Sequence, residues 1–155
     1  MIPLKQRFRH DPDNGVWGDC HRAAIASVLE LALDDVPHFA DGGVSAEAFN
    51  AAVDDFLAQH GLRSISSPFS GDLRDVLHTI GTLNGGDLVY LLGGTSRTGV
   101  NHTVVCVGSE IAHDPSLSDS GIVGPCDDGY YWVSYFAPLS LSRRAMGPVL
   151  AAAGI

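Results

Sequence analysis

Cysteine is scarce in this chain, which has only Cys20, Cys106 and Cys126 among its 155 residues. Three widely separated cysteines do not make a disulfide framework, and there is no CxxC pair to indicate a zinc ribbon. An odd count also leaves at least one thiol free under any pairing. The pattern therefore predicts reduced thiols in a cytoplasmic protein, one of which is a candidate reactive cysteine.

Long apolar runs and an excess of positive charge are also missing. No stretch approaches the roughly 18 apolar residues of a membrane span, and no apolar run of signal-peptide length follows the start MIPLKQRFRHD. The chain has 9 basic residues against 18 acidic ones, for a formal net charge of −9. Because this charge repels phosphate backbones and anionic lipids, we expect a soluble protein without nucleic-acid or membrane partners.

The residues that are present fit one globular domain spanning 1–155, in which helices precede strands. Apolar residues at helical spacing predict a helix that begins near Cys20 and stops before Pro37. A second helix should begin after the N-cap Ser45 and stop at Gly61, and a third should be closed by Gly81. Residues 10–18 should form a loop, because they are rich in turn formers.

Beyond residue 86 the segments become short, β-branched and aromatic, as in DLVYLLGG, HTVVCVGSE, EIAHDP and YYWVSYF. They predict strands, with a further short strand near residues 2–8. Helices followed by an antiparallel sheet make an α+β fold. The tail 138–155 is apolar enough to pack but gives no clear assignment.

Cys20 has the flanks of a nucleophile. In GDCHRAAIASVL, Gly18 lets the chain bend sharply before a helix whose unpaired N–H groups and positive end favour a thiolate. The backbone N–H of Cys20 can also help to hold an oxyanion. The alternative is a small buried core residue, the usual role of an intracellular cysteine.

A nucleophilic thiol needs a base, and His102 opens the apolar strand HTVVCVG directly after a loop. The next strand ends in Asp114, and a tight turn near Gly108 should bring its carboxylate beside the imidazole. Such a carboxylate fixes the ring tautomer and stabilises the imidazolium. His113 is a less favoured substitute for either role.

An oxyanion site usually adds a side-chain donor, and Gln6 and Asn14 are the two candidate amides before the cysteine. Asn14-Gly15 is equally a ready-made turn. Aromatic residues are candidates for lining a substrate site, Trp17 beside the nucleophile first, then the cluster Tyr130, Tyr131 and Trp132.

The order of Cys20, His102 and Asp114, with GDC opening a helix and HTVV and HDPS downstream, resembles the papain-like cysteine peptidases. Within them it resembles compact bacterial and phage-encoded forms related to bacteriocin leader peptidases, over residues 6–39 and 101–116. The resemblance implies a papain-like fold, a cofactor-free hydrolase of amide or isopeptide bonds in a peptide or protein, and a glutamine oxyanion donor. The family's common spacing between this glutamine and the cysteine places Asn14 at the glutamine position. Gln6 therefore fits only if the loop between it and the cysteine is an insertion.

Three alternatives stay open at this level. Transglutaminase-like acyl transfer and glutamine deamidation use the same triad and thioester. A metal site would use Cys20, His102 and Asp114, or Cys106, which shares a strand face with His102. The chain is otherwise a binding or inhibitory module that keeps the fold without turnover.

Overall fold

The computed structural model describes residues 1–141, which form an α+β fold as predicted. The described part of the chain contains three α-helices and one five-stranded antiparallel sheet. Most of the unassigned tail, residues 142–155, lies outside the described residues. None of the described helices is long and apolar enough to cross a membrane.

The three predicted helices are α1 (Cys20–Leu29), α2 (Ala46–Gln59) and α3 (Leu73–Leu83). Helix α1 begins at the cysteine, as expected, and ends where Glu30 takes a left-handed backbone, well before Pro37. Helix α2 begins as predicted, because Ser45 Oγ accepts a hydrogen bond from the backbone N–H of Ala48 at 3.2 Å.

The prediction that Gly81 closes α3 is wrong, because the helix continues to Leu83. Gly81 lies where the helix meets the turn at Gly108 and Ser109. A Cβ atom built on Gly81 would lie 2.8 Å from the backbone nitrogen of Ser109. The glycine is therefore explained by a close approach of two backbones, not by a helix end.

The sheet is built from β1 (Leu62–Phe69), β2 (Val89–Thr95), β3 (Asn101–Val107), β4 (Glu110–His113) and β5 (Tyr131–Pro138). Its strand order is β1-β5-β2-β3-β4, so β4 is one edge strand and forms a hairpin with β3. The turn between them contains Gly108 with φ 58°, as the sequence predicted. This hairpin carries the two predicted partners of the cysteine, at the start of β3 and just after β4.

Strand β1 was not predicted, and it places a strand between α2 and α3, so the helices do not all precede the sheet. Its sequence LRSISSPF is rich in serine and includes Pro68, and none of its residues is fully buried. Proline is tolerated because β1 is the other edge strand and pairs only with β5. The segment therefore has little of the apolar alternation by which a strand is recognised.

The predicted strand near residues 2–8 is wrong, since this segment pairs with no strand. Its N–H groups bond to other partners instead: Leu4 donates to Ser27 Oγ at 2.9 Å, and Gln6 donates to the carbonyl of Pro115 at 2.8 Å. The segment thus runs across α1 and the loop after β4, which positions Gln6 near both.

Two apolar clusters cover opposite faces of the sheet, because alternate residues of a strand point to opposite sides. Leu91 and Val105 join α1 and α2 in one cluster, whereas Leu92 and Val104 join α3 in the other. Buried residues Ala24 and Ile25 fix α1 against the sheet, and this holds the helix start beside β3.

Candidate active site

His102 and Asp114 are brought together as the sequence predicted. The imidazole Nε2–H donates to Asp114 Oδ1 at 2.7 Å. The same carboxylate accepts hydrogen bonds from the backbone N–H of Ser116 at 2.8 Å and from that of Gly121 at 2.7 Å. The loop after β4 therefore fixes the carboxylate, and the carboxylate fixes the orientation of the ring.

Cys20 is the first residue of α1 and is partly exposed. The Asp19 side chain does not cap this helix, so it leaves the first-turn N–H groups free of a side-chain acceptor. Cys20 and His102 border the same two cavities, and the neighbouring Cys20 acts to raise the pKa of His102. Cys20, His102 and Asp114 therefore lie together at one site.

Two pKa shifts follow from this arrangement. Burial acts to lower the pKa of His102, but its interactions with Cys20 and then with Asp114 outweigh burial, so the pKa is raised. Burial acts to raise the pKa of Asp114, but hydrogen bonds from His102, Ser116 and Gly121 outweigh burial and lower the pKa to about 2. Both shifts favour a charged imidazolium beside an ionised carboxylate.

Of the two candidate amides, only Gln6 reaches the site. Its side chain is 8% exposed and borders the cavity that also contains Cys20 and His102. Gln6 Nε2 donates to the carbonyl of Phe8 at 2.7 Å, which uses one of its two N–H groups. Asn14 instead lies in an exposed 3-10 turn and donates to Asp11, so it is a turn residue and the prediction of it as an oxyanion donor is not supported.

Asp19 is a residue of the site that the sequence analysis missed. It is 2% exposed, and its Oδ1 accepts hydrogen bonds from the backbone N–H groups of Arg7 at 2.9 Å and Phe8 at 2.8 Å. Its Oδ2 pairs with the buried Arg22 at 3.3 Å. Asp19 thus ties the segment that carries Gln6 to the start of α1. Its position directly before the cysteine is the signal in the sequence that could have identified it.

His113 does not take the place of His102, because its Nε2–H donates to the carbonyl of Leu4 at 2.7 Å. Lys5 is the next residue after Leu4, and its Nζ donates to the carbonyls of Asp114 and Ser116, both at 2.9 Å. The N-terminal segment therefore holds the loop that carries the catalytic carboxylate candidate.

Two cavities meet at Cys20 and His102. A small cavity of about 170 Å³ lies on the Gln6 side and is lined mainly by polar residues. A wide cleft of about 720 Å³ opens on the other side, between α2 and the sheet. Trp17 and Trp132 line the wide cleft, whereas Tyr131 is buried in the core under α3. Tyr130 is exposed and lines neither cavity.

All three cysteines are free thiols. Cys106 lies in the core with Tyr90, and burial raises its pKa to about 12. Burial and the nearby Asp128 and Asp127 raise the pKa of Cys126 to about 11. Within residues 1–141, no group of three or more Cys, His, Asp or Glu side chains is arranged to hold a metal ion, and Cys106 is remote from Cys20 in the core.

Searches against models of protein families, curated proteins and solved structures give no match to this chain.

Proposed function

We propose that this protein is a papain-like cysteine hydrolase that cleaves an amide or isopeptide bond in a peptide or protein. The observation that carries the proposal is the position of the His102 ring, which borders the same two cavities as Cys20 at the start of α1 and donates to Asp114 at 2.7 Å. A nucleophile, its base and the group that orients the base are the parts that acyl transfer requires.

The proposed reaction begins when the Cys20 thiolate attacks the carbonyl carbon of the scissile bond. The oxyanion that forms is stabilised by the Cys20 N–H and by the second N–H of Gln6 Nε2. The His102 imidazolium then gives its proton to the leaving amine, and the C–N bond breaks to leave a thioester on Cys20. Water, deprotonated by His102, attacks the thioester, which releases the acid and restores the thiol.

Asp114 has a separate part in this scheme. Its carboxylate holds Nε2–H, which leaves the other ring nitrogen to exchange a proton with the sulfur and the leaving group. Held by three hydrogen bonds, it keeps its charge while the imidazolium forms.

The test is the hydrolysis of a library of peptides and isopeptides by the wild-type protein and by the Cys20→Ala variant. We expect cleavage by the wild type and none by the variant, which should melt at a similar temperature. Wild-type activity in a folded Cys20→Ala variant would overturn the proposal. Adding an amine such as glycine ethyl ester separates hydrolysis from acyl transfer, because the amine is incorporated only if it resolves the thioester.

A further inference from the structure

The wide cleft beside Cys20 has apolar walls. Phe49 and Val53 of α2 and Leu91 of β2 pack together in the core cluster at its base, and Trp17 and Trp132 also line it. Its volume of about 720 Å³ is large enough for several side chains of a bound peptide. Apolar walls of this extent suit the hydrocarbon part of a long side chain.

Apart from the histidines, the charged side chains that line the same cleft are acidic. Asp54 of α2 and Asp128 of the loop before β5 line it, and no lysine or arginine among residues 1–141 does so. Asp128 is held in place, because its two oxygens accept hydrogen bonds from the Trp132 indole at 2.7 Å and from the backbone N–H of Tyr130 at 3.0 Å. Within residues 1–141, neither carboxylate forms a salt bridge.

Two neighbouring groups in the lining do not offset this negative charge. Burial lowers the pKa of His21 to about 4, so its ring is neutral near pH 7. Burial and then the charge of Asp128 raise the pKa of Cys126, which keeps that thiol protonated and neutral. The small cavity on the other side has a different character, since within residues 1–141 its lining includes Arg9 but no aspartate or glutamate.

We propose that the wide cleft selects substrates that carry a lysine or arginine side chain next to the scissile bond. This inference rests on the proposed function and names its substrate class. The hydrocarbon stem lies along the apolar walls, and the cationic end lies between Asp54 and Asp128. An acidic side chain is rejected there, because it would meet two carboxylates without a compensating cation.

The test uses short peptides that end in an acyloxymethyl ketone, an electrophile that alkylates a cleft thiolate. Matched probes carry lysine, norleucine or glutamate at one position of the peptide. Separate sets of probes place this variable residue at different positions along the peptide. Norleucine has the same stem as lysine without the charge. The rate of Cys20 modification is measured by mass spectrometry of the intact protein, so the readout does not require hydrolysis.

We expect the lysine probe to react about tenfold faster than the norleucine probe at one position, and the glutamate probe to react slowest. Asp54→Asn should lower this preference about threefold, and Asp54→Asn with Asp128→Asn should abolish it. Asp55→Asn is the matched control, because Asp55 is the next residue of α2 and does not line the cleft. The preference should also decrease at high salt.

Equal rates for lysine and norleucine at every position would overturn the inference, and so would a preference that persists in the double variant. The proposed function fails separately: a charge preference in labelling, with no cleavage of lysine peptides by the wild type, would leave the binding site without a hydrolase.

Discussion

The two sides of Cys20 differ in how they are built. On the side of the small cavity, Gln6 and Asp114 are fixed by hydrogen bonds to the N-terminal segment and to the loop after β4. On the side of the wide cleft, apolar walls and two carboxylates enclose a space about four times larger. The residues of the proposed reaction are thus held by hydrogen bonds on one side, whereas the other side leaves room for the proposed substrate.

The largest effects should come from the residues that exchange protons or carry charge. His102→Ala removes the base, so turnover should fall by several orders of magnitude, to the level of Cys20→Ala. Asp114→Asn removes only the orienting charge, so a reduced but measurable rate should remain. The rates of the variants on the same cleaved peptide decide this. Equal losses for His102→Ala and Asp114→Asn would show that the carboxylate does more than orient the ring.

A smaller effect separates the two candidate amides. Gln6→Ala should lower kcat about 100-fold, because it removes one donor to the oxyanion. Asn14→Ala should leave kcat nearly unchanged, since Asn14 is bonded in an exposed turn remote from both cavities. Thermal melts check that both variants fold. A large loss for Asn14→Ala in a folded protein would contradict the placement of the oxyanion site.

The hydrogen bonds that hold Asp114 should also affect the stability of the fold at acidic pH. The pKa of Asp114 is lowered from 3.8 to about 2, so its stabilising contribution is present above pH 4 and is lost as the pH falls toward 2. This loss amounts to about 2 kcal/mol. Urea unfolding at a series of pH values should therefore show a steeper acid decline for the wild type than for Asp114→Asn. Parallel declines would show that the carboxylate is not held as described.

Sequence reasoning located the triad candidates, because each lies at an element boundary with a clear local signal. Gly18 and the small residues after Cys20 marked a helix start, and the β-branched run after His102 marked a strand. Asp114 followed from the turn that joins β3 and β4. Each of these signals is carried by residues that are close together in the chain, so a single sequence is enough to detect it.

The features that sequence reasoning missed depend on contacts with residues far away in the sequence. Strand β1 is an edge strand with a half-polar sequence, so its identity depends on pairing with β5. Gly81 was assigned to a helix end because the close turn at Ser109 is far away in the sequence. The choice of Gln6 over Asn14 follows from hydrogen bonds between the N-terminal segment, Asp19 and Pro115.

The most direct test of the central claim compares the three thiols within one molecule. Iodoacetamide labelling near pH 6, followed by mass spectrometry of the peptides, measures the reactivity of each cysteine. Cys126 is the internal control, because it is also partly exposed and lines the same wide cleft as Cys20. Accessibility alone would therefore give the two thiols similar rates.

We predict that Cys20 labels faster than Cys126 and Cys106, because the proposed mechanism makes it the nucleophile beside His102, whereas the pKa values of the other two are raised. The advantage should disappear in His102→Ala. Equal slow labelling of all three cysteines in the folded wild type, or fast labelling of Cys20 that persists in His102→Ala, would contradict the account of Cys20 as a nucleophile activated by His102.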